Sequence, residues 1–162
     1  MPKEETKFED FLLNVNPKDL GFVHETHDFM LQSGCSYKIE AAKSGHVLSY
    51  VLTKKKKVIA NYVFRKSGLI VRIYGDNIGK YADILNNLPE GMIKAIEKAP
   101  VCKRMVDPTK CNSRCPLGYA FDLRGKTYQS CRYGSFMFEV REENYSHIRG
   151  FLERELKERA AS

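Results

Sequence analysis

No stretch of this chain approaches the roughly 18 consecutive apolar residues that a membrane-spanning helix requires, so no span is expected and no membrane partner. The opening Met1-Pro2-Lys3-Glu4-Glu5 lacks the apolar run of a secretory leader, which makes the cytoplasm the expected compartment. There is no Gly-rich phosphate loop and no G-x-S-x-G, and no Cys, His and acid trio is brought together by spacing, so the common nucleotide-binding and hydrolase signatures are excluded. Helix-turn-helix, RRM and KH signatures are missing as well. Internal repeats and low-complexity linkers are also absent. The expectation is a binding or regulatory module rather than an enzyme.

What is present begins with size and balance. A chain of 162 residues with 43% hydrophobic and 29% charged residues has the composition of one ordinary globular domain. Residues 1–162 are read as a single domain. Residues 1–100 form its helix-helix-meander-helix core, and residues 101–162, a cysteine-rich loop, a hairpin and a C-terminal helix, are a candidate sub-domain.

Phe8, Phe11, Leu12 and Val15 follow the i, i+3, i+4, i+7 pattern, so residues 4–15 read as a short amphipathic helix. Asn16-Pro17 restarts the chain as N-cap and first helical residue, Leu20, Val23, Met30 and Leu31 supply the next apolar stripe, and Gly34 is a stop. From Cys35 the period changes to two. Cys35–Ala41, His46–Thr53, Val58–Arg65 and Leu69–Tyr74 are separated by short polar turns at Lys43-Ser44-Gly45, Lys54–Lys57 and Lys66-Ser67-Gly68, which predicts an antiparallel four-stranded meander. The lysine turn reads as a solvated loop that also discourages edge pairing.

Gly75-Asp76-Asn77 is expected to cap a helix carrying Ile78, Tyr81, Ala82 and Leu85, and Pro89 to open another that ends before Pro100. Tyr119–Leu123, Lys126–Cys131 and Phe136–Val140 then read as a β-hairpin or three-stranded unit with its turn at Arg124-Gly125. Tyr145, Ile148, Leu152 and Leu156 mark a C-terminal helix. Helices flanking an antiparallel sheet make the fold class α+β.

Four of the five cysteines, Cys102, Cys111, Cys115 and Cys131, fall in one segment, with eight, three and fifteen residues between them. In a reducing compartment such thiols point to metal ligation, redox chemistry or plain packing. Zinc takes four tetrahedral donors, and a structural site stabilises an irregular loop that has little apolar surface to bury. These four residues are therefore the candidate zinc ligands, although the C-x2-C pairs of zinc ribbons are missing. The same four thiolates suit an iron–sulfur cluster, with Pro116 after Cys115, or a thiol redox centre. Cys35 opens a strand on its inward register and reads as core.

Two further sites are candidates. His24 and His27 sit three apart beside the apolar stripe of the second helix, where with Tyr50 and Tyr62 they would line a pocket for a small ligand or for an enzyme's substrate. The commoner reading of such residues is boundary or satisfied core histidines. The net charge is +7, and from Val101 to Arg132 seven basic residues face two acidic ones, so this segment carries +5 of it. With Tyr119, Tyr128 and Tyr133 interleaved, Lys103, Arg104, Lys110, Arg114 and Arg132 have the composition of a nucleic-acid contact surface.

Overall fold

The computed structural model describes residues 8–43 and 45–161. The N-terminal helix is shorter than its periodicity: α1 covers Phe8–Leu12, turns carry the chain to a buried Val15, and positions 4–7 lie outside the described residues. Asn16 caps as expected, its Oδ1 accepting from Lys18 N at 3.2 Å, but the segment Pro17–Asp19 is a 3-10 turn. Helix α2 then runs Leu20–Gln32 and ends where Gly34 takes φ +91°, a left-handed conformation open to glycine. The buried face of α2 is Phe22, Val23, Thr26, His27 and Met30, whereas Leu31 is exposed. The stripe is displaced from the expected one because His27 bonds Tyr50 of the sheet while Phe22 stacks on Tyr145.

The four-stranded meander forms as β1 (Cys35–Ala42), β2 (Gly45–Leu52), β3 (Lys57–Arg65) and β4 (Gly68–Ile73). Ser44 of its first turn lies outside the described residues, and a register shift at Tyr50/Val51 marks a bulge in β2. Ile59–Val63 are buried without a break, so the central strand is covered on both faces. Register places Leu48, Tyr50, Tyr62, Val71 and Phe138 on one face. Against it pack Phe11 of α1, on Tyr62 and Phe64, and Phe151, on Phe138.

The sheet has a fifth strand that the sequence does not assign to it. Of the three C-terminal β segments, β5 (Tyr119–Leu123) and β6 (Lys126–Ser130) form a separate hairpin, while β7 (Met137–Glu139) leaves it and pairs antiparallel with β4. Its Phe136–Val140 surroundings supply two more backbone bonds to Ile73 and Leu69. The hairpin turn places Arg124 and Gly125 at φ +52° and +80°, the left-handed pair of a tight two-residue turn.

Between the sheet and the cysteines the expected helix over residues 78–85 is instead two 3-10 turns, Ile78–Lys80 and Ala82–Asn87. Asn77 does not cap them. Its side chain and its N–H both donate to Glu155 of the C-terminal helix α5 (Tyr145–Ala161). Helix α3 (Glu90–Glu97) follows Pro89 as expected, and a one-turn α4 (Lys103–Val106) sits inside the segment read as a loop. No helix among the described residues is long and apolar enough to cross a membrane.

Candidate metal centre

After α3 the chain reaches Val101, which bridges Ser130 of β6 in antiparallel fashion. Cys102 N donates to Gln129 O at 2.8 Å and Cys131 N to Pro100 O at 2.7 Å. The bridge thus fixes two cysteines that are far apart in sequence. Cys102 is buried, and its Sγ accepts from Gly118 N at 3.3 Å. Only glycine fits at 118, because a Cβ there would lie 2.0 Å from Ser130 O and 2.8 Å from Cys102 Cβ.

The intervening loop is held by polar contacts. Asn112 turns the chain, its Oδ1 accepting from Arg114 N at 2.9 Å and its carbonyl from Cys115 N at 3.1 Å. Arg104 reaches out of α4 to donate to the carbonyls of Cys115 and Asn112. Cys111 and Leu117 adopt φ of +61° and +85°, unusual for residues with a Cβ. The stretch 111–114 is exposed, so the loop buries almost no apolar surface of its own.

All four cysteines line a single cavity of about 290 Å³, together with Arg104 and Arg132 among others. All five cysteines of the chain are free thiols. Among the described residues, no three of His, Cys, Asp and Glu are gathered tightly enough to hold a metal ion. The thiols are therefore neighbours around a shared space, without being drawn to a common point.

Arg132, beside Cys131, turns inward. Its Nη1 is 2.7 Å from Asp76 Oδ1, and its guanidinium lies over the rings of Tyr74 and Tyr119 at 5.1 and 5.5 Å. Asp76 also accepts from Tyr119 OH at 3.1 Å and faces Arg159 Nη2 at 3.4 Å. Arg159 in turn donates to Glu155 Oε2 at 2.8 Å and to Tyr74 O at 2.9 Å. Glu155 is fully buried, and Tyr81 OH donates to it as well. Burial, reinforced by Glu155, holds the Tyr81 hydroxyl well above the usual phenol range, so it stays a donor. A charge network thus runs from the buried Glu155–Arg159 pair of α5 through the exposed Asp76 to Arg132 at the wall of the cysteine cavity. Sequence periodicity gave no sign of it, because the apolar stripe of the C-terminal helix, Tyr145, Ile148, Leu152 and Leu156, includes neither Glu155 nor Arg159.

The other predicted residues separate. Of the basic set, Lys103, Lys110 and Arg114 are exposed, whereas Arg104 and Arg132 are committed to the internal contacts just described. Among the tyrosines, Tyr119 is buried against Phe136, Tyr128 stacks on Phe121, and Tyr133 is exposed. His27, Tyr50 and Tyr62 do come together: His27 Nδ1 is 2.8 Å from Tyr50 OH, and the Tyr50 and Tyr62 ring centroids are 6.2 Å apart. The space around His27 is filled by rings, with Phe8 stacked at 3.8 Å and Tyr37 edge-on at 4.8 Å. Burial lowers its pKa and keeps it neutral. His24 faces outward. Cys35 is core, its thiol pushed up to about 11 by burial.

Comparison with protein-family models, curated proteins and solved structures finds no match in any of the three, so the reading of the site rests on its own chemistry.

Proposed function

We propose that Cys102, Cys111, Cys115 and Cys131 hold a zinc ion as a structural site, in a cytoplasmic binding or regulatory module rather than an enzyme. The observation that carries this reading is that four thiols of one segment, brought together across its loop and hairpin, line one cavity. The donor chemistry suits the metal, since four thiolates are a complete structural zinc shell and a reducing compartment keeps them available, and the loop would have to draw the thiols together around the ion. A bound ion would supply the cross-link that the exposed 111–114 stretch does not obtain from apolar burial.

The chain's own residues prepare the site. The Gly118 N–H fixes the position of Cys102 Sγ, and Arg104 fixes the backbone that carries Cys115. Arg104 and Lys103 at the cavity offset the negative charge that four thiolates around a divalent ion would leave.

A second reading is favoured by the cavity's size. About 290 Å³ is far more than one ion needs, given that a water occupies about 30 Å³, and an iron–sulfur cluster uses the same four thiolates. Elemental analysis of untagged protein purified without oxygen decides between them. About one zinc per chain, lost in Cys115→Ala and in Cys131→Ala, is the expected result. Iron with sulfide would move the protein to the redox class. Metal-free protein, or full zinc occupancy in both variants, would overturn the proposal.

A further inference from the structure

Next to the cysteine cavity, Val101, Lys103, Val106, Asp107 and Lys110 line an open cleft. Its floor is aliphatic: Val101 is 59% exposed and Val106 67%, on neighbouring elements that both face the same space. Leaving such surface in water is unfavourable, and a partner would relieve that on covering it. The rim is cationic, with Lys103 and Lys110 both exposed. Asp107, the acid of the cleft, already accepts from Thr109 N and Oγ1 at 3.0 and 2.8 Å.

The backbone adds a directional feature. The Val101–Ser130 bridge is flanked on both sides by hydrogen bonds, from Cys102 N and from Cys131 N. That is the non-hydrogen-bonded pair of an antiparallel ladder, so the N–H and C=O of Val101 point away from β6. Neither group makes a hydrogen bond among the described residues. The hairpin thus ends in an open edge with one free donor and acceptor, set beside aliphatic side chains and below two lysines.

We infer that this cleft docks an extended segment of a partner protein, aliphatic with flanking Asp or Glu, which pairs its backbone with Val101 and seats a side chain on Val106. Edge addition supplies main-chain hydrogen bonds, and alternate side chains fill the apolar floor. Nucleic acid is less well matched. Its bases need exposed rings, yet Tyr119 is buried and Tyr128 is half-buried against Phe121, which leaves Tyr133 alone of the three exposed, and two of the five basic residues are internally paired. The inference is independent of which metal, if any, the thiols hold.

The probe is a fluorescein-labelled peptide of about eight residues alternating glutamate and valine, titrated into the full chain and followed by anisotropy, with hydrogen exchange at the Val101 amide read in parallel. The expected result is saturable binding that slows Val101 exchange, weakens with salt, and falls about tenfold or more in Val106→Asp. Leu13→Asp, at an exposed aliphatic residue outside the cleft, should bind unchanged and controls for surface charge. A peptide N-methylated at alternate residues should lose most of its affinity. Undetectable binding, unaltered Val101 exchange, equal binding of the N-methylated peptide, or preferential binding of a thymidine oligonucleotide through the same lysines would each overturn the inference.

Discussion

The substitution Arg159→Met removes the guanidinium that, among the described residues, is bonded to the fully buried carboxylate of Glu155. In the wild type Glu155 accepts from Asn77 N at 3.0 Å, Asn77 Nδ2 at 2.8 Å, Tyr81 OH and Arg159 Nε at 2.8 Å. The variant keeps three donors but loses the opposing charge, and Tyr74 O loses its donor at 2.9 Å. Breaking a buried pair in this way costs about 3–5 kcal/mol, because the remaining charge is left uncompensated. For a chain of this size each kcal/mol lowers Tm by about 2–4 °C, so the expected drop is roughly 6–20 °C. Urea unfolding with an unchanged slope would report the same loss as a shift in midpoint. The reasoning makes a sharper demand in the second arm of a double-mutant cycle. Glu155→Gln should destabilise the wild type, since it leaves Arg159 with Asp76 at 3.4 Å as its remaining carboxylate, but should cost little or even stabilise in the Arg159→Met background, where it removes the stranded charge. Non-additivity of at least 1 kcal/mol is expected for residues in direct contact. Arg159→Met within about 1 kcal/mol of wild type, or Glu155→Gln costing the same in both backgrounds, would refute the account.

Four further outcomes follow from particular contacts. Gly118→Ala should cost about 1–3 kcal/mol or more and loosen the cysteine cavity, because its Cβ meets Ser130 O, whereas Gly150→Ala in α5, with nothing within 4 Å, should be neutral or stabilising by up to about 1 kcal/mol. Alkylation of the native metal-free protein at pH 8, read by mass spectrometry, should modify Cys111 early and Cys35 last, since a thiol pushed up to about 11 is only about one part in a thousand ionised there. His27 is neutral in the fold with a pKa below its ordinary 6.5, so the unfolded chain takes up the proton first. Its contribution is intact above about 6.5 and is lost as pH falls below that value, and His27→Gln should flatten the stability profile there. Cys115→Ala should lower Tm by many degrees only if the protein carries metal, and stripping metal from the wild type by chelation should give the same loss.

The meander was legible because period-two patterning and short polar turns act locally, and strands β1 to β4 depend on little else. The destination of β7 was not. Phe136–Val140 reads as a strand in either sheet, and only its packing against Phe151 and its bonds to Leu69 and Ile73 select β4 as partner. The 3-10 turns over residues 78–87 arise similarly: Ile78, Tyr81 and Leu85 are buried as predicted, but Asn77 and Tyr81 are drawn to Glu155. Within the candidate site, the four cysteines share a cavity, as spacing plus the hairpin turn suggest, but no three of them are gathered as ligands among the described residues. The fate of the charges was not readable. Arg132 and Arg104 resemble Lys103 and Lys110 in sequence, and only the position of Asp76 and of the Cys115 carbonyl distinguishes structural from exposed cations.

The late arrival of β7 bears on how the chain is made. Ile70 pairs with Glu139, 69 positions later, and everything between them, cysteine module included, must be synthesised before that edge of β4 is closed. At roughly 5–20 residues per second the nascent meander waits about 3–14 s with a hydrophobic strand open on one side. Closing so long a loop adds an entropic barrier of about 4 kcal/mol on top of the wait. Translational pausing or truncation between residues 74 and 136 should therefore be felt as aggregation of the newborn chain and dependence on chaperones, even where the finished protein is stable.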